Sequence, residues 1–346
     1  MRVGILTFHA SINYGSYWQA RCLAEGLRAR GHDAVLLDHQ SCGIISRELR
    51  NAFQPDLPER TPRAHHPALG RKVRAFRDAV AGLPLSPPFP LDAPEAAGEH
   101  DAVVVGSDEV WNFSHPWYGG QPIFFGDRLR TDRLVAYAAS FGGHDAPVDP
   151  HWAERLDRFD AIAVRDANSR RLVTDALGAE PPLVLDPCLQ FPASLPAAAP
   201  EGDYALLYGH GLPAWFTRAA RRWADRKGVR LVSVGYPNAV ADENRADAGP
   251  LEFAELISGA RAVATSFFHG SVFALHYRRP FIAAASPYRR IKLEGLFAAL
   301  DTTERLIDAS TGEDEIATLL ATPPEIVTPL TTLRAQGDAF LAQALG

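Results

Sequence analysis

Ala262-Val263-Ala264-Thr265-Ser266-Phe267-Phe268-His269-Gly270-Ser271 is the stretch from which the fold of this 346-residue chain is read. The apolar run Ala260 to Ala264, broken only by Arg261, has the length of a buried strand and stops at Thr265-Ser266. Two aromatics, a histidine and a glycine follow. From Ser271 the spacing of Val272, Phe273, Leu275 and His276 turns helical, up to a stop near Pro280. His269 therefore falls where a strand hands over to a helix. In open α/β sheets ligands bind at the carboxyl ends of strands. Helix starts there offer free N–H groups and the positive end of the dipole, which suit phosphate or carboxylate. Gly270 lets backbone approach a ligand closely, and histidine is the side chain best suited to proton exchange near neutral pH. Position alone leaves His269 open between that role and a packed, hydrogen-bonded turn histidine.

The same alternation runs outward in both directions. Val3 to Phe8 reads as a strand, 9–16 as a polar loop, Tyr17 to Arg30 as a helix ended by Gly31, and Asp33 to Asp38 as a second strand. Such a unit implies a parallel sheet with right-handed crossovers. Further strands are expected at Asp101–Val105, Leu134–Ala139, Ala161–Val164 and Leu183–Leu185, with helices near Leu69–Ala81, Asp149–Phe159 and from Asn168 or Ser169 to Leu177. Residues 40–66 are polar and proline-dotted and read as a long excursion of the lid or binding-loop kind. After a Pro- and Ala-rich linker, Phe191 to Gly202, the second half repeats the pattern. Its strands are Tyr204–Tyr208, Arg230–Val234 and Phe281–Ala285, and its helices Pro213–Lys227, Glu252–Ser258 and Tyr288–Leu300. The fold class expected is α/β, with two Rossmann-like domains facing one another across a cleft. They are 1–195, the acceptor side, and 196–325, the donor side, with a helix in 326–346 packing back on the first. No sequence repeat relates the halves.

Composition narrows the function. The chain is 47% hydrophobic and 22% charged, an ordinary globular balance, and its net charge of -6 with no long basic block argues against a nucleic-acid binder. No apolar run reaches the ~20 residues of a membrane helix, and the N-terminus reads as a strand start with no signal-peptide cleavage site. Cys22, Cys42 and Cys188 are odd in number and widely spaced, which fits a cytoplasmic location and no structural zinc. Cys188 reads as a small buried apolar residue before it reads as a nucleophile. The first loop is neither Gly-x-Gly-x-x-Gly nor a Walker motif, so a nucleotide fingerprint is missing, and Asp38 reads as a strand-end aspartate. No metal site is expected, since the histidines are scattered. Two strand-end clusters in the first half do carry polar groups: His9, Asn13 and Gln19, and then Ser107, Asp108 and Asn112. Either set could contact a substrate or simply build turns.

Taken together, these motifs resemble those of the polysaccharide pyruvyl transferase family over nearly the whole chain. The matching stretches are Thr7-Phe8-His9 with Asn13-Tyr14-Gly15 and Gln19-Ala20; Gly106-Ser107-Asp108 with Val110-Trp111-Asn112; Ala138 to Gly142; Val164-Arg165-Asp166 with Ser169; Asp186-Pro187; Pro250 with Glu252-Phe253; Thr265-Ser266 with Phe268-His269-Gly270; and Arg290 ahead of Leu296. The resemblance implies a glycosyltransferase-B-like architecture. It also implies transfer of pyruvate from phosphoenolpyruvate, as a ketal, onto a sugar or other hydroxyl-bearing acceptor, with no cofactor. Its catalytic histidine falls on His269 and its strand-end arginine on Arg165, which would pair with phosphate or carboxylate. Asp108 or His9 would activate acceptor hydroxyls. The substrate-binding set implied is His9, Asn13, Tyr14, Gly15, Gln19, Gly106, Ser107, Asn112, Ser140, Ser266, Phe267, Phe268, Gly270, Ser271, Arg289 and Arg290.

One position departs from the pattern. Better-studied pyruvyl transferases carry an arginine two residues before the histidine, and here Phe267 stands there; the Ser266-Phe267-Phe268-His269-Gly270 form, with Asn13-Tyr14-Gly15 near the N-terminus, resembles a different branch of the family. Arg289, Arg290 and Lys292 are the cations placed to replace that arginine, or else they form a solvated helix face. A nucleotide-sugar glycosyltransferase and a non-catalytic carbohydrate-binding protein fit the same fold. So does pyruvyl transfer onto a small natural product or peptide. The sequence is silent on acceptor and oligomeric state, and a homo-oligomer is compatible with it.

Overall fold

The first sheet is built by five short parallel strands: β1 (Arg2–Leu6), β2 (Asp33–Leu36), β3 (Ala102–Val105), β4 (Leu134–Ala139) and β5 (Ala161–Val164), in the order β2-β1-β3-β4-β5. Every residue of β3 and β4 is buried. That is why these strands read as continuous Val/Ala runs rather than as alternation: a parallel sheet is covered by helices on both faces. The chain is described from a computed structural model covering residues 1–55, 57 and 59–346. Positions 56 and 58 of the 40–66 excursion lie outside the described residues.

The second sheet has the order β8-β7-β6-β9-β10, from β6 (Tyr204–Tyr208), β7 (Arg230–Val234), β8 (Glu243–Arg245), β9 (Ala262–Thr265) and β10 (Phe281–Ala283), again all parallel. Both sheets are doubly wound. The strand order reverses between β1 and β3 in the first and between β6 and β9 in the second, and ligands of such sheets bind at the carboxyl ends flanking that reversal.

The helices are α1 (Tyr14–Ala29), α2 (Cys42–Phe53), α3 (His66–Ala81), α4 (Pro150–Leu156), α5 (Ala167–Leu177), α6 (Pro187–Gln190), α7 (Ala214–Lys227), α8 (Pro250–Gly259), α9 (Phe268–His276), α10 (Arg290–Ala299), α11 (Glu313–Leu319) and α12 (Val327–Leu345). Much of the expected excursion is thus helix: α2 occupies its first part and α3 begins at its end. Helices α1, α3, α5, α8 and α9 all start one to three residues earlier than their spacing suggests, and two of these starts bear on the candidate sites. Helix α1 begins at Tyr14, because the Asn13 side chain accepts from the amides of Gly15 (2.8 Å) and Ser16 (3.4 Å). Helix α9 begins at Phe268, so His269 lies inside its first turn rather than ahead of it.

The chain divides into two compact units, and not at a single cut. One comprises Met1–Glu48, Val80–Ser194 and Thr328–Gly346; the other comprises Leu49–Ala79 and Leu195–Val327. Residues 49–79, assigned from sequence to the first domain, group with the second because α3 is tied there. Arg71 pairs with Asp247 (3.0 Å) and the Lys72 ammonium donates to the Gly235 carbonyl (3.1 Å). Helix α12 belongs to the first unit, where Ala344 O accepts from Arg133 (2.9 Å) and Arg334 donates to Leu189 O (2.7 Å). Each unit has its own core. Leu6, Phe8, Trp111, Phe124, Phe125 and Phe141 anchor one, and Leu207, Phe216, Trp223 and Ile282 the other. Among the described residues no helix is long and apolar enough to cross a membrane.

Candidate functional site

In the first unit the loops after β1 and β3 carry a charged cluster. Helix α1 presents Ser16, whose hydroxyl donates to Asp108 Oδ2 (2.8 Å). Asp108 Oδ1 accepts from the amide of Glu109 (2.9 Å) and from Arg165 Nη2 (3.3 Å). Arg165, at the end of β5, gives its other terminal nitrogen to Asp186 Oδ2 (3.1 Å). Asp186 in turn caps α6 through the amide of Cys188 (3.0 Å). These side chains are nearly dry, with 3% of Arg165, 1% of Asp186 and 11% of Asp108 exposed. Burial alone would lower the Arg165 pKa. Asp108, Asp186, Glu109 and Asp166 outweigh it and raise the value above the ordinary one. Asp108 holds a φ of 76°, in the left-handed region that side chains rarely adopt. Beside this cluster, the Ser140 hydroxyl donates to Asp166 Oδ2 (2.7 Å), and Asp166 caps α5 through the Ser169 amide (2.7 Å).

Several residues expected to touch substrate are instead consumed by the protein. His9 is fully buried, with Nε2 3.1 Å from Asp38 Oδ1 and Nδ1 3.3 Å from the Thr7 carbonyl. Gln19 donates to Thr7 Oγ1 (2.9 Å) and accepts from the Ser107 hydroxyl (2.8 Å), also fully buried. Asn112 donates to Glu109 Oε2 (2.8 Å), next to Trp111, whose indole donates to the Phe124 carbonyl (2.8 Å). Asn13 is the cap of α1, and Tyr14 and Gly15 are its buried first turn. A Cβ at Gly106 would collide with the Tyr137 carbonyl, so that glycine serves packing between strands. These groups shape the loops that present Ser16, Asp108 and Arg165. The Arg165 fork, expected to hold a ligand anion, binds two protein carboxylates. Cys188 is fully buried, and burial, Cys22 and Asp186 together push its thiol well above the ordinary value, which disfavours the thiolate that a nucleophile needs. The same unit contains a cavity of about 810 Å³, lined by Gln40, Arg47, Phe89, Trp117 and Gln121 among others. The Trp117 indole donates to Glu48 Oε1 (2.9 Å), and burial pushes the Glu48 carboxyl up despite its bonds to Ser11 and Trp117.

In the second unit the loops after β6 and β9 meet. Thr265 Oγ1 donates to the Tyr208 carbonyl (2.8 Å) and accepts from the Phe267 amide (3.1 Å), which fixes the turn from β9 into α9. A Cβ at Gly270 would collide with Thr265 Oγ1, so the glycine lets the first turn close over the strand end. His269 is buried within that turn and Ser271 is fully buried just after it. The Phe267 ring packs against Tyr208 (4.7 Å), His210 (5.2 Å) and Tyr236 (5.7 Å between ring centres). The Arg289 guanidinium lies 4.3 Å over the Phe267 ring, with Nη2 3.4 Å from His210 Nε2. On another side the Lys72 ammonium sits 4.5 Å over Tyr236. Arg290 is exposed and pairs with Glu294 (3.1 Å), the solvated-face outcome, while Lys292 is buried 5.1 Å over Tyr288.

Sequence reasoning missed Lys72, His210 and Tyr236. A signal was there for two of them. Lys72 shares the spacing of Leu69, Val73 and Phe76, the buried stripe of α3, and a lysine on an apolar stripe calls for a partner. His210, in Gly209-His210-Gly211 after β6, has the same strand-end placement as His269.

A sequence profile of the polysaccharide pyruvyl transferases matches residues 13–286. The chain belongs to the polysaccharide pyruvyl transferase family. It is therefore an enzyme, a transferase, and this family member carries two Rossmann-like domains of the glycosyltransferase-B kind. Among solved structures it is similar to a MnaA–UDP complex from S. aureus (12% identity, TM-score 0.53, covering 99% of this chain and 94% of that one). It is also similar to a protein described as a UDP-N-acetylglucosamine 2-epimerase from Listeria monocytogenes (10%, TM-score 0.51, 96% and 94%). It spans 64% of an O-GlcNAc transferase from Thermobaculum terrenum, which it matches over 99% of its own length at 13% identity and a TM-score of 0.42. No curated protein sequence matches this pyruvyl transferase family member. At these identities the structural likenesses bear on the fold alone.

Proposed function

We propose that this protein moves the pyruvyl group of phosphoenolpyruvate onto two hydroxyls of a sugar or glycan-like acceptor, forming a ketal and releasing inorganic phosphate. A proton adds to the methylene carbon and makes it a methyl group, so that C2 becomes electrophilic. One acceptor hydroxyl attacks C2, phosphate leaves, and the second hydroxyl closes the ketal. Of the two hydroxyl protons, one balances that given to the methyl carbon and the other leaves with phosphate. His269 supplies the proton to carbon or to the departing phosphate. Such a transfer is worth ~10²–10⁴ in rate.

The observation that carries the reading is the place of His269, in the first turn of α9 at the carboxyl end of β9, beside the reversal of strand order. Arg289, stacked on Phe267, supplies a cation beside the position where the family's arginine would stand. Asp108, held by Arg165 and Ser16, is the candidate to receive an acceptor proton in the first unit. The cavity bearing Trp117, Gln40 and Gln121 offers the ring face and amides that bind sugars. Arg165 acts in this reading by positioning Asp108.

The test is phosphate release from phosphoenolpyruvate with a panel of glycan acceptors, for wild type and His269→Gln. Acceptor-dependent release by the wild type, with loss of at least about 10²-fold in the variant, is expected. Equal rates in the two proteins would remove His269 from the chemistry. Turnover of small natural products or peptides but no glycans would keep the chemistry and change the acceptor.

A further inference from the structure

We propose that the cavity of the first unit is an acceptor subsite for a saccharide unit that carries a carboxylate. This rests on the pyruvyl-transfer reading above in calling that saccharide the acceptor.

The cavity, about 810 Å³ in volume, has the size of an ordinary ligand site, ~300–1,000 Å³. It is lined by the start of α2, by the segment Pro88 to Asp92, and by Trp117 and Gln121. A short parallel ladder, His39–Gln40 against Phe89–Pro90, holds that segment in place. Two successive residues of α2 hold Trp117. Glu48 accepts from the Trp117 indole (2.9 Å), the Ser11 hydroxyl (2.8 Å) and the Ile12 amide (3.4 Å), while Arg47 Nη1 donates to the Pro116 carbonyl (3.5 Å). The indole N–H is thereby spent inside the protein, and the ring is what Trp117 offers the cavity. An aromatic ring suits the C–H face of a sugar, which buries apolar surface without needing a donor.

The polar lining divides into groups for hydroxyls and a group for charge. Among the described residues, the side chains of Gln121 and Asp92 have no hydrogen bond or ion pair. Arg128 stands close to Asp92, donating to its carbonyl (2.9 Å), but gives its other terminal nitrogen to Glu95 (2.6 Å). An amide and a free carboxylate both bond sugar hydroxyls. Arg47 is the charge that selects. Its exposed guanidinium is the one basic group of the lining, and it meets no carboxylate within 4.0 Å among the described residues, Asp92 included. Glu48, its neighbour in sequence, does not neutralise it, because Ser11, Ile12 and Trp117 occupy that carboxylate. The start of α2 adds the positive end of a twelve-residue helix with no acidic side chain in its first turn. A planar fork matches the two oxygens of a carboxylate. A single unpaired cation, in a lining that also holds Asp92, suits one negative charge better than the two of a phosphate.

The chain carries its own reporter. Cys42, the first residue of α2, lines the cavity and is exposed, whereas Cys22 and Cys188 are buried. Alkylation of the folded protein by iodoacetamide, followed by mass spectrometry, therefore reads occupancy of the cavity. The experiment measures that protection, with calorimetric affinity, for three matched pairs of methyl glycosides: glucuronide and glucoside, galacturonide and galactoside, mannuronide and mannoside. Members of a pair differ only in a carboxylate against a hydroxymethyl group, and phosphoenolpyruvate is left out. At least one uronide is expected to slow alkylation of Cys42 and to bind about three- to tenfold more tightly than its neutral partner. That advantage should shrink as salt is raised and vanish in Arg47→Gln, with thermal unfolding as the control of fold. Neutral members bound as tightly as uronides, or an advantage that Arg47→Gln keeps, would overturn the assignment and leave pyruvyl transfer standing. Binding without protection of Cys42 would put the saccharide elsewhere and overturn the site, as would binding of no glycoside. Uronides bound as expected, by a protein that releases no phosphate from phosphoenolpyruvate with any glycan, would keep the site and remove the reading it rests on.

Discussion

Replacing Arg165 by Ala is a direct probe of the first unit, because three buried charges depend on one another there. The guanidinium bonds Asp108 and Asp186 at 3.3 and 3.1 Å, and side-chain exposure is 3% for the arginine, 11% for Asp108 and 1% for Asp186. Removing the cation leaves two carboxylates in a dry environment without their countercharge. Breaking a buried pair in this way costs about 3–5 kcal/mol, which for a unit of this size lowers the thermal midpoint by roughly 6–20 °C. Carboxylates buried without a countercharge favour their neutral form, so the deficit should narrow as pH falls from 7 towards about 4. Urea unfolding of wild type and Arg165→Ala, followed by circular dichroism across that pH range, measures both effects. Arg165→Lys should recover only part of the loss, since an ammonium cannot reach two carboxylates with a planar fork. A destabilisation below about 1 kcal/mol, the range of an exposed ion pair, would refute the structural role and return Arg165 to the ligand-binding role that the family resemblance implied.

Three further outcomes follow from the geometry. Asn13→Ala should cost about 1 kcal/mol of stability by leaving the α1 amides uncapped, and Asn13→Asp should restore it; urea unfolding that shows no change would discard the cap. Gly270→Ala puts a methyl into Thr265 Oγ1 and 2.9 Å from the Tyr208 ring, so the first turn of α9 must shift, at about 1–3 kcal/mol; phosphate release at the wild-type rate would show that the turn tolerates it. Lys72 gives a pH dependence whose sign is fixed by its lowered pKa, about 7 against an ordinary 10.5. Between those values the unfolded chain binds more protons, so stability rises with pH as the buried charge is lost. Urea unfolding from pH 7 to 10 measures that rise, and in Lys72→Met it should vanish.

How much of this was legible depended on where each residue finds its partner. Leu134–Ala139 and Tyr204–Tyr208 read correctly to the residue, because strands covered on both faces leave unbroken apolar runs. The strand Glu243–Arg245 left no such trace, being three polar residues at a sheet edge. Helix α2 was hidden because only Ile44 of its twelve residues is buried, so no apolar stripe marks it. The starts of α1 and α9 were displaced by the residues at their turns. Asn13 reads equally as loop and cap, and Phe267, at the start of α9, makes no side-chain cap bond. Among candidate site residues, the turn holding His269, Ser266 and Phe267 was found from strand-to-helix spacing. His9, Gln19 and Ser107 were visible as polar groups at strand ends, but sequence order cannot tell whether their hydrogen bonds go to ligand or to protein. Asp38, Thr7 and Gln19, which accept from His9, Gln19 and Ser107 in that order, come beside them only in three dimensions. Lys72 and His210 are 138 residues apart in sequence yet both lie against the Tyr236 ring, a proximity that only the fold supplies.

The central claim is that phosphoenolpyruvate is the donor, and direct titration of the wild type with phosphoenolpyruvate beside UDP-N-acetylglucosamine, repeated on His269→Ala, tests it. Saturable heat with phosphoenolpyruvate in the range of roughly 1 μM to 1 mM usual for substrates, and none with the nucleotide sugar, is the expected result, with His269→Ala still folded. Saturable binding of the nucleotide sugar and none of phosphoenolpyruvate would contradict the account and make this family member a glycosyltransferase in its chemistry as well as its fold.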